Sequence, residues 1–424
     1  MYEIMVFLFF FLLPVGFTID YYCWKRLTPC IVSFIGVYFI LLIYELIGQS
    51  LGFITLSKFV YFYIFLFYLC GLLASITAAI FFSRIDKIKP PVIEFSLFNY
   101  GDRAKNFITN VALLMSLICS WHIFSAYRDL GSFVSEDFEA RLTYGFAGHS
   151  FAILMATLPF LVEIYLKHKK KKYIVFISFI FILLFMKQVK YWVMIPLVWM
   201  VWYVISGKFI QLSFKKYITI SLKLALVLIA LFFSVYFMKV IMSNQSGNLD
   251  YFSVMFSIMI HFLGYLFSGI LTLSNYEGLG LYNNLTFKDA FGLLAGFLNI
   301  FNAISGSDLL TLELVRPMLP LNIIYGAVGN VPSIWGTLLL SAGNYAFLFF
   351  FIMIFLLSFL CGMSSHSKLM LMIYTFLTSF LFFSWFDYYY YLLTPYEVSA
   401  FVMLFYFCIQ IIKKMPRFNF GLKK

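Results

Sequence analysis

Apolar stretches long enough to cross a bilayer, about 20 residues each, recur along this chain and are separated by short basic clusters. Runs near 2–19, 29–47, 59–82, 107–126, 144–166, 173–187, 190–206 and 217–240 precede a central region, and runs near 334–360, 369–386 and 392–412 follow it. Only helices and closed barrels satisfy backbone polar groups in hydrocarbon. Helix-length runs therefore predict an all-α polytopic membrane protein, with about 11–12 transmembrane helices. Runs 173–187 and 190–206 are short and nearly fused, which suits a tight hairpin. Of the 424 residues, 63% are hydrophobic and only 11% are charged. No long stretch has globular composition, so 1–424 reads as one integral membrane domain. Met1–Ile19 lacks a basic start and a small-residue cleavage site, and is expected to be a retained first span rather than a signal peptide.

The net charge of +12 reports topology, not a nucleic-acid partner. Lys25-Arg26, Arg84 through Lys105, the block Lys167–Lys172, Lys208–Lys216 and the tail Lys413–Lys424 are expected on the cytoplasmic side. Loops 48–58, 127–143, 187–190 and 241–251 then fall outside. Six cysteines, Cys23, Cys30, Cys70, Cys119, Cys361 and Cys408, form no CxxC pair and read as small packing residues.

Residues 241–333 break the pattern. They are too polar for plain spans and too apolar for a free loop. Residue 241 lies outside by the forward count and residue 333 by the backward count, so the segment crosses an even number of times or not at all. Its two apolar runs, 252–273 and 287–304, are expected either to cross together or to lie at the outer surface or re-enter. Sparse basic residues at 274–286 favour the second arrangement, which makes 241–333 an outer, half-buried region beside loop 127–143.

Chemistry-bearing residues concentrate there. A helix starting near Arg141 would place Arg141, Gly145 and His149 on one face. Arg141 is then either a ligand for an anion or a snorkelling anchor. Lys187 and Lys190 flank an outer turn against the basic-inside trend, as anion binders or helix-end caps. Arg316 is the only arginine between Arg141 and Arg417. Its fork suits phosphate oxygens, or an ion pair with Asp308 or Glu313. His261 and Tyr265 stand one turn apart, as a base and a sugar contact or as satisfied core residues. Asn275 and Asn330 are candidate substrate contacts, and Glu139 lies beside Arg141. No Asp-x-Asp pair, HExxH, Gly-rich phosphate loop or nucleophile elbow occurs, so neither metal nor cofactor is expected. Tyr388–Tyr391 reads as an interfacial aromatic belt.

The ordered set resembles a Wzy-type O-antigen or capsular repeat-unit polymerase over roughly residues 107–412. Arg141 before a Gly-containing span resembles that family's outer-loop arginine. The Lys187–Lys190 turn stands where many members carry a Ser-Arg-Gly-like turn. Gly264-Tyr265-Leu266-Phe267-Ser268-Gly269-Ile270 resembles its Tyr-x-x-Gly-x-x pattern. Asn330-Val331-Pro332-Ser333 and Ser341-Ala342-Gly343 resemble Asn-Val-Tyr-Thr followed by Asp-Phe-Gly. Lys190 replaces the usual arginine, and Ser341 replaces an aspartate, so no acidic role carries to it.

The resemblance implies a fold related to class C glycosyltransferases in the bacterial inner membrane. It implies transfer of a glycan from undecaprenyl pyrophosphate onto a lipid-linked repeat unit at the outer face, with a chain-length regulator as a further partner. Arg141, Arg316 and Lys190 would stabilise the leaving pyrophosphate in one outward cavity. His149, His261 or Glu139 would serve as base, and Lys187, Tyr265, Asn275 and Asn330 would bind substrate. A lipid-linked oligosaccharide flippase and an O-antigen ligase are the rival readings.

Overall fold

The computed structural model describes residues 2–85, 101–133, 135–189, 191–207, 251–282, 287–306 and 316–415, with a few positions between 219 and 234. Lys190, Asp308, Glu313, the Ser243–Asn248 stretch and most of the expected 217–240 span lie outside the described residues. The chain divides into two compact units. Met1–Val92 with Ser213–Pro395 forms the first, and Ile93–Leu212 with Tyr396–Lys424 the second.

Seven of the described helices are long and apolar enough to cross a membrane: Pro29–Leu51, Lys58–Ser83, Asp102–Leu130, Gly145–His168, Val254–Gly278, Ser333–Met363 and Thr394–Lys414. Shorter apolar helices cover Phe9–Trp24, Tyr191–Ser206 and Lys368–Leu381. The protein is thus an all-α, multi-pass membrane protein, its extended backbone confined to short pairings.

In the first unit, α1 (Tyr2–Trp24) and α2 (Pro29–Ile43) meet at a polar knot. Thr28 caps α2, its hydroxyl accepting from the Ile31 amide at 3.1 Å, with Pro29 at the first helical position. The Thr28 hydroxyl also donates to the buried Asp20 carboxylate. Ser75 donates to the same carboxylate at 2.6 Å from α3 (Lys58–Ile85). Helix α3 packs along α13 (Ala346–Met363) through Phe67, whose ring stands 4.5 Å from Phe347 and 5.3 Å from Phe350.

The second unit is built on α4 (Asp102–Leu130), α5 (Glu136–Thr143), α6 (Gly145–Ala156), α7 (Leu158–His168), α8 (Lys171–Met186) and α9 (Tyr191–Ser206). Helix α15 (Thr394–Lys414) joins it through Phe405, which meets Phe107 at 6.5 Å and Phe160 at 6.3 Å. The Tyr203 hydroxyl donates to the buried Glu163 carboxylate, which gives that intramembrane acid the partner such a residue needs.

Four expectations change. Arg141, Gly145 and His149 do not share one helix. Tyr144 is extended between α5 and α6, and Gly145 sits at φ +63°, a backbone that favours glycine. The apolar stretch Ser333–Met363 is broken at Gly343 into α12 (Ser333–Ala342) and α13, because Gly343 takes φ +50°. The 369–386 run is helical only over α14 (Lys368–Leu381), and residues 382–386 form turns. Tyr388 and Tyr390 are buried, while Tyr389 and Tyr391 are half-buried, so at most the latter two can serve as interfacial rings.

The two central runs also part company. Run 252–273 lies in α10 (Tyr251–Gly278), whose Val254–Gly278 stretch has spanning length. Run 287–304 is a 3-10 segment, Phe287–Leu294, followed by α11 (Ala295–Ser305), and it is not among the span-length helices. A count that treats both alike therefore fails.

Candidate functional site

The first unit concentrates polar chemistry where α12 begins. A helix start leaves four amides without helical acceptors. Here a neighbouring turn supplies acceptors for two of them. Ser333 N donates to Phe386 O at 3.0 Å and Ile334 N to Ser384 O at 2.8 Å. Gly336 N donates to Ser333 Oγ at 3.3 Å. Gly269 of α10 lets that turn approach, because a Cβ there would stand 1.9 Å from the Trp385 carbonyl oxygen. Pinned this way, the turn delivers Asp387 to Thr337, one helical turn inside α12.

Arg316 completes the cluster. Its Nη1 donates to both Asp387 oxygens, at 2.9 and 3.1 Å. Its Nη2 reaches Thr337 Oγ1 at a long 3.4 Å. The guanidinium carbon lies 5.1 Å from the Tyr391 ring centre. Asp387 Oδ1 also accepts from the Tyr388 amide at 2.7 Å. The side chains of Arg316 and Asp387 are 9% and 7% exposed, so this is a buried pair. Burial works against the guanidinium charge, and Asp387 more than restores it, raising the Arg316 pKa above the ordinary arginine value.

The Nε corner of that guanidinium is buried and has no protein partner among the described residues. Nε and Nη2 form the side-on fork that matches two oxygens of one phosphate. Tyr276 stands close by, its hydroxyl donating to Pro317 O at 3.2 Å and to Asn330 O at 3.4 Å. A groove of about 290 Å³ in the same unit is lined by Ser274, Asn275, Gly278, Leu279, Leu319 and Pro320, none of them a member of the Arg316 cluster.

The groove rests on a hairpin, β1 (Leu319–Pro320) paired antiparallel with β2 (Val328–Gly329). Asn322 anchors it. Its side-chain oxygen accepts from the amides of Ile324 and Tyr325 at 2.9 Å, and its nitrogen donates to Leu51 O at 2.8 Å.

The candidate residues of this unit take unequal places. Asn330 contributes a backbone carbonyl to the Arg316 cluster. Asn275 lines the groove, with its amide donating to Pro320 O at 2.9 Å. His261 meets Tyr265 edge-on at 5.0 Å, and Tyr265 stacks on Phe386 at 5.7 Å. That file of rings ends beside Asp387. Arg316 does form an ion pair, but with Asp387 rather than with Asp308 or Glu313.

The second unit holds the other candidates. Arg141 Nη2 pairs with Asp129 at 2.6 Å and is 48% exposed. His149 Nδ1 lies 2.6 Å from Glu397 Oε1, with the imidazole 51% exposed and the carboxyl 15% exposed. Glu139 is half-buried. Lys187 is fully buried. The carboxylates of Glu397 and Glu139 are near enough to act electrostatically on Lys187.

Residues 55–415 match a family of unknown function, DUF6337. The chain belongs to that family. The match takes in helices α3 to α15 and so covers Arg316, Asp387, Lys187 and the His149–Glu397 pair. No curated protein and no solved structure matches the chain.

Asp387, Thr337 and Glu397 are the residues that sequence reasoning missed as parts of a site. One signal was available for the first. Asp387 is the only acidic residue between Glu313 and Glu397, as Arg316 is the only arginine between Arg141 and Arg417. In an apolar setting two such isolated opposite charges are expected to find each other.

Proposed function

We propose that this protein is a membrane glycosyltransferase that joins lipid-pyrophosphate-linked oligosaccharide repeat units into a polysaccharide at the outer face of a bacterial inner membrane. The observation that carries this reading is the buried Arg316 fork. Its Nη1 end is fixed by Asp387, and its Nε edge has no acceptor among the described residues.

Such a guanidinium is pre-organised for an anion with two oxygens. In the transfer step the bond between the anomeric carbon and the pyrophosphate oxygen breaks, and a bond to the acceptor hydroxyl forms. Negative charge then accumulates on the departing pyrophosphate. A donor already held in place, with little water around it, stabilises that charge without reorganising. Tyr391 lies against the fork, its ring centre 5.1 Å from the guanidinium carbon. The ordered resemblance to repeat-unit polymerases supports the same substrate class.

A deletion strain complemented with variants tests this. The deletion should carry single-repeat surface glycan, and the wild-type gene should restore a banding ladder. Arg316→Ala alone would confuse folding with function, because removing one partner of a buried pair strands the other charge. The double variant Arg316→Met with Asp387→Leu removes both charges together. It should remain in the membrane at wild-type levels and give no ladder. A full ladder from that double variant would refute the anion role. A deletion with no surface glycan at all would point to a ligase, and accumulation of single units on the inner face to a flippase.

A further inference from the structure

Lys187 is the least compensated charge in the second unit. It follows α8, where its amide donates to Leu184 O at 3.3 Å. A lysine at a helix C-terminus commonly bonds the last carbonyls or carries its ammonium to water. Lys187 does neither. Its side chain is fully buried, and its Nζ has no hydrogen-bond acceptor among the described residues. Instead Nζ sits 3.4 Å from the centre of the Trp192 ring and 5.3 Å from that of Phe151.

Two further observations point the same way. Trp192 is 3% exposed, and its Nε1 also has no acceptor among the described residues. The turn between them is strained, because Gln188 takes φ +65°, a conformation that residues other than glycine adopt only rarely. Ordinary turn chemistry does not need a buried lysine, and strain of this kind persists only where surrounding structure imposes it.

The nearby charges do not complete the site. Glu397 is engaged with His149 and Arg141 with Asp129. Glu397 and Glu139 reach Lys187 only through space. The two ring faces attract the ammonium but accept none of its three N–H donors in the plane of a lone pair. Two unmatched donors, one of them cationic, call for a partner that brings acceptors and negative charge together.

We propose that Lys187 and Trp192 form an oxyanion-binding subsite, in which a carboxylate or phosphate group takes hydrogen bonds from the Lys187 ammonium and Trp192 Nε1. The faces of Trp192 and Phe151 hold the ammonium in position. The subsite does not depend on the polymerase reading, since it concerns binding alone and lies in the other compact unit.

The experiment uses the full chain in detergent and follows its melting temperature. The probes are inorganic phosphate, pyrophosphate and glucuronate, with chloride at matched ionic strength as control. The wild type should melt higher with at least one oxyanion than with chloride. A response to phosphate or pyrophosphate alone identifies a phosphoryl ligand, and a response to glucuronate alone identifies an acidic sugar.

Lys187→Met keeps the length and removes the charge. Without added anion it should melt at or above the wild-type temperature, because an unmatched buried ammonium is costly. It should also lose the oxyanion response, with the half-effective concentration rising roughly 10- to 100-fold. Trp192→Phe keeps a ring face and removes Nε1, and should raise that concentration by roughly 2- to 10-fold. Three results would overturn the proposal. One is a wild type that responds no more to oxyanions than to chloride. Another is a full response retained in Lys187→Met and Trp192→Phe. The third is a Lys187→Met protein melting well below wild type, which would make the ammonium a counter-charge for Glu139 and Glu397.

Discussion

Arg316 and Lys187 are both buried basic side chains in an apolar protein, yet their surroundings treat them oppositely: Asp387 holds the Arg316 charge, while burial pushes the Lys187 pKa down to about 7. Arg316 has a dedicated carboxylate, a hydroxyl and a ring, and its Nε has no acceptor among the described residues. Lys187 has two rings and no hydrogen-bond acceptor among the described residues. In the first case the protein has built most of the electrostatic environment itself, and a ligand adds to it. In the second the ring faces only cushion a charge whose acceptors must come from elsewhere. The two sites should therefore respond differently when the charge is removed, and that difference can be measured.

The largest effect should come from half of the Arg316–Asp387 pair. Asp387→Ala leaves a buried guanidinium without its carboxylate and should cost roughly 3–5 kcal/mol of stability, whereas the double exchange to Met and Leu should cost little. Melting temperatures of the two single variants and the double variant, taken as a cycle, report this. A near-zero effect of Asp387→Ala would erase the contrast with Lys187, for which removal of the charge is expected to be neutral or stabilising.

A smaller effect should follow from disturbing only the scaffold of the first site. In Gly269→Ala the new methyl would stand 1.9 Å from the Trp385 carbonyl oxygen and 3.1 Å from Ser333 Cβ. The turn carrying Asp387 must shift. The expected cost is about 1–3 kcal/mol, with reduced ladder length in cells. The oxyanion response at Lys187 should be unchanged, because Gly269 belongs to the other compact unit. Loss of both responses together would mean that the two sites are not separable.

The contrast also explains what could be read from the sequence. The helices were legible because about 20 apolar residues in a row have few alternatives. Breaks within apolar runs were not. Hydropathy does not register that Gly343 takes a positive φ, or that 382–386 leaves the helix to cap another one. Asp387 was hidden for that reason, at the end of a run that looked like a span. Lys187 was visible because it defied the charge trend, but its burial was not, since nothing local marks the side of a turn that faces inward. The spacing of Arg141, Gly145 and His149 suits one helix face, and nothing in the sequence marks Gly145 as the break that its φ of +63° makes.

Arg141 should give the smallest change in stability, and for that reason the cleanest reading of function. Its pair with Asp129 is exposed, and Arg128 Nε already holds the other Asp129 oxygen at 3.1 Å. Exposed ion pairs gain little, because water and salt screen them and two long side chains must be ordered. Arg141→Ala should therefore melt with the wild type at physiological salt. Arg141→Glu should melt slightly lower at low salt and recover as salt is added, since it places a third acidic group beside Asp129 and Glu139. Against that flat background, the surface-glycan ladder becomes decisive. If Arg141 contacts an anionic substrate, Arg141→Ala shortens or abolishes the ladder while the melting temperature stays put. If the residue is only an interfacial anchor, the ladder is complete. Either result separates binding from folding, which the same substitution at Arg316 cannot do, because there the charge belongs to both.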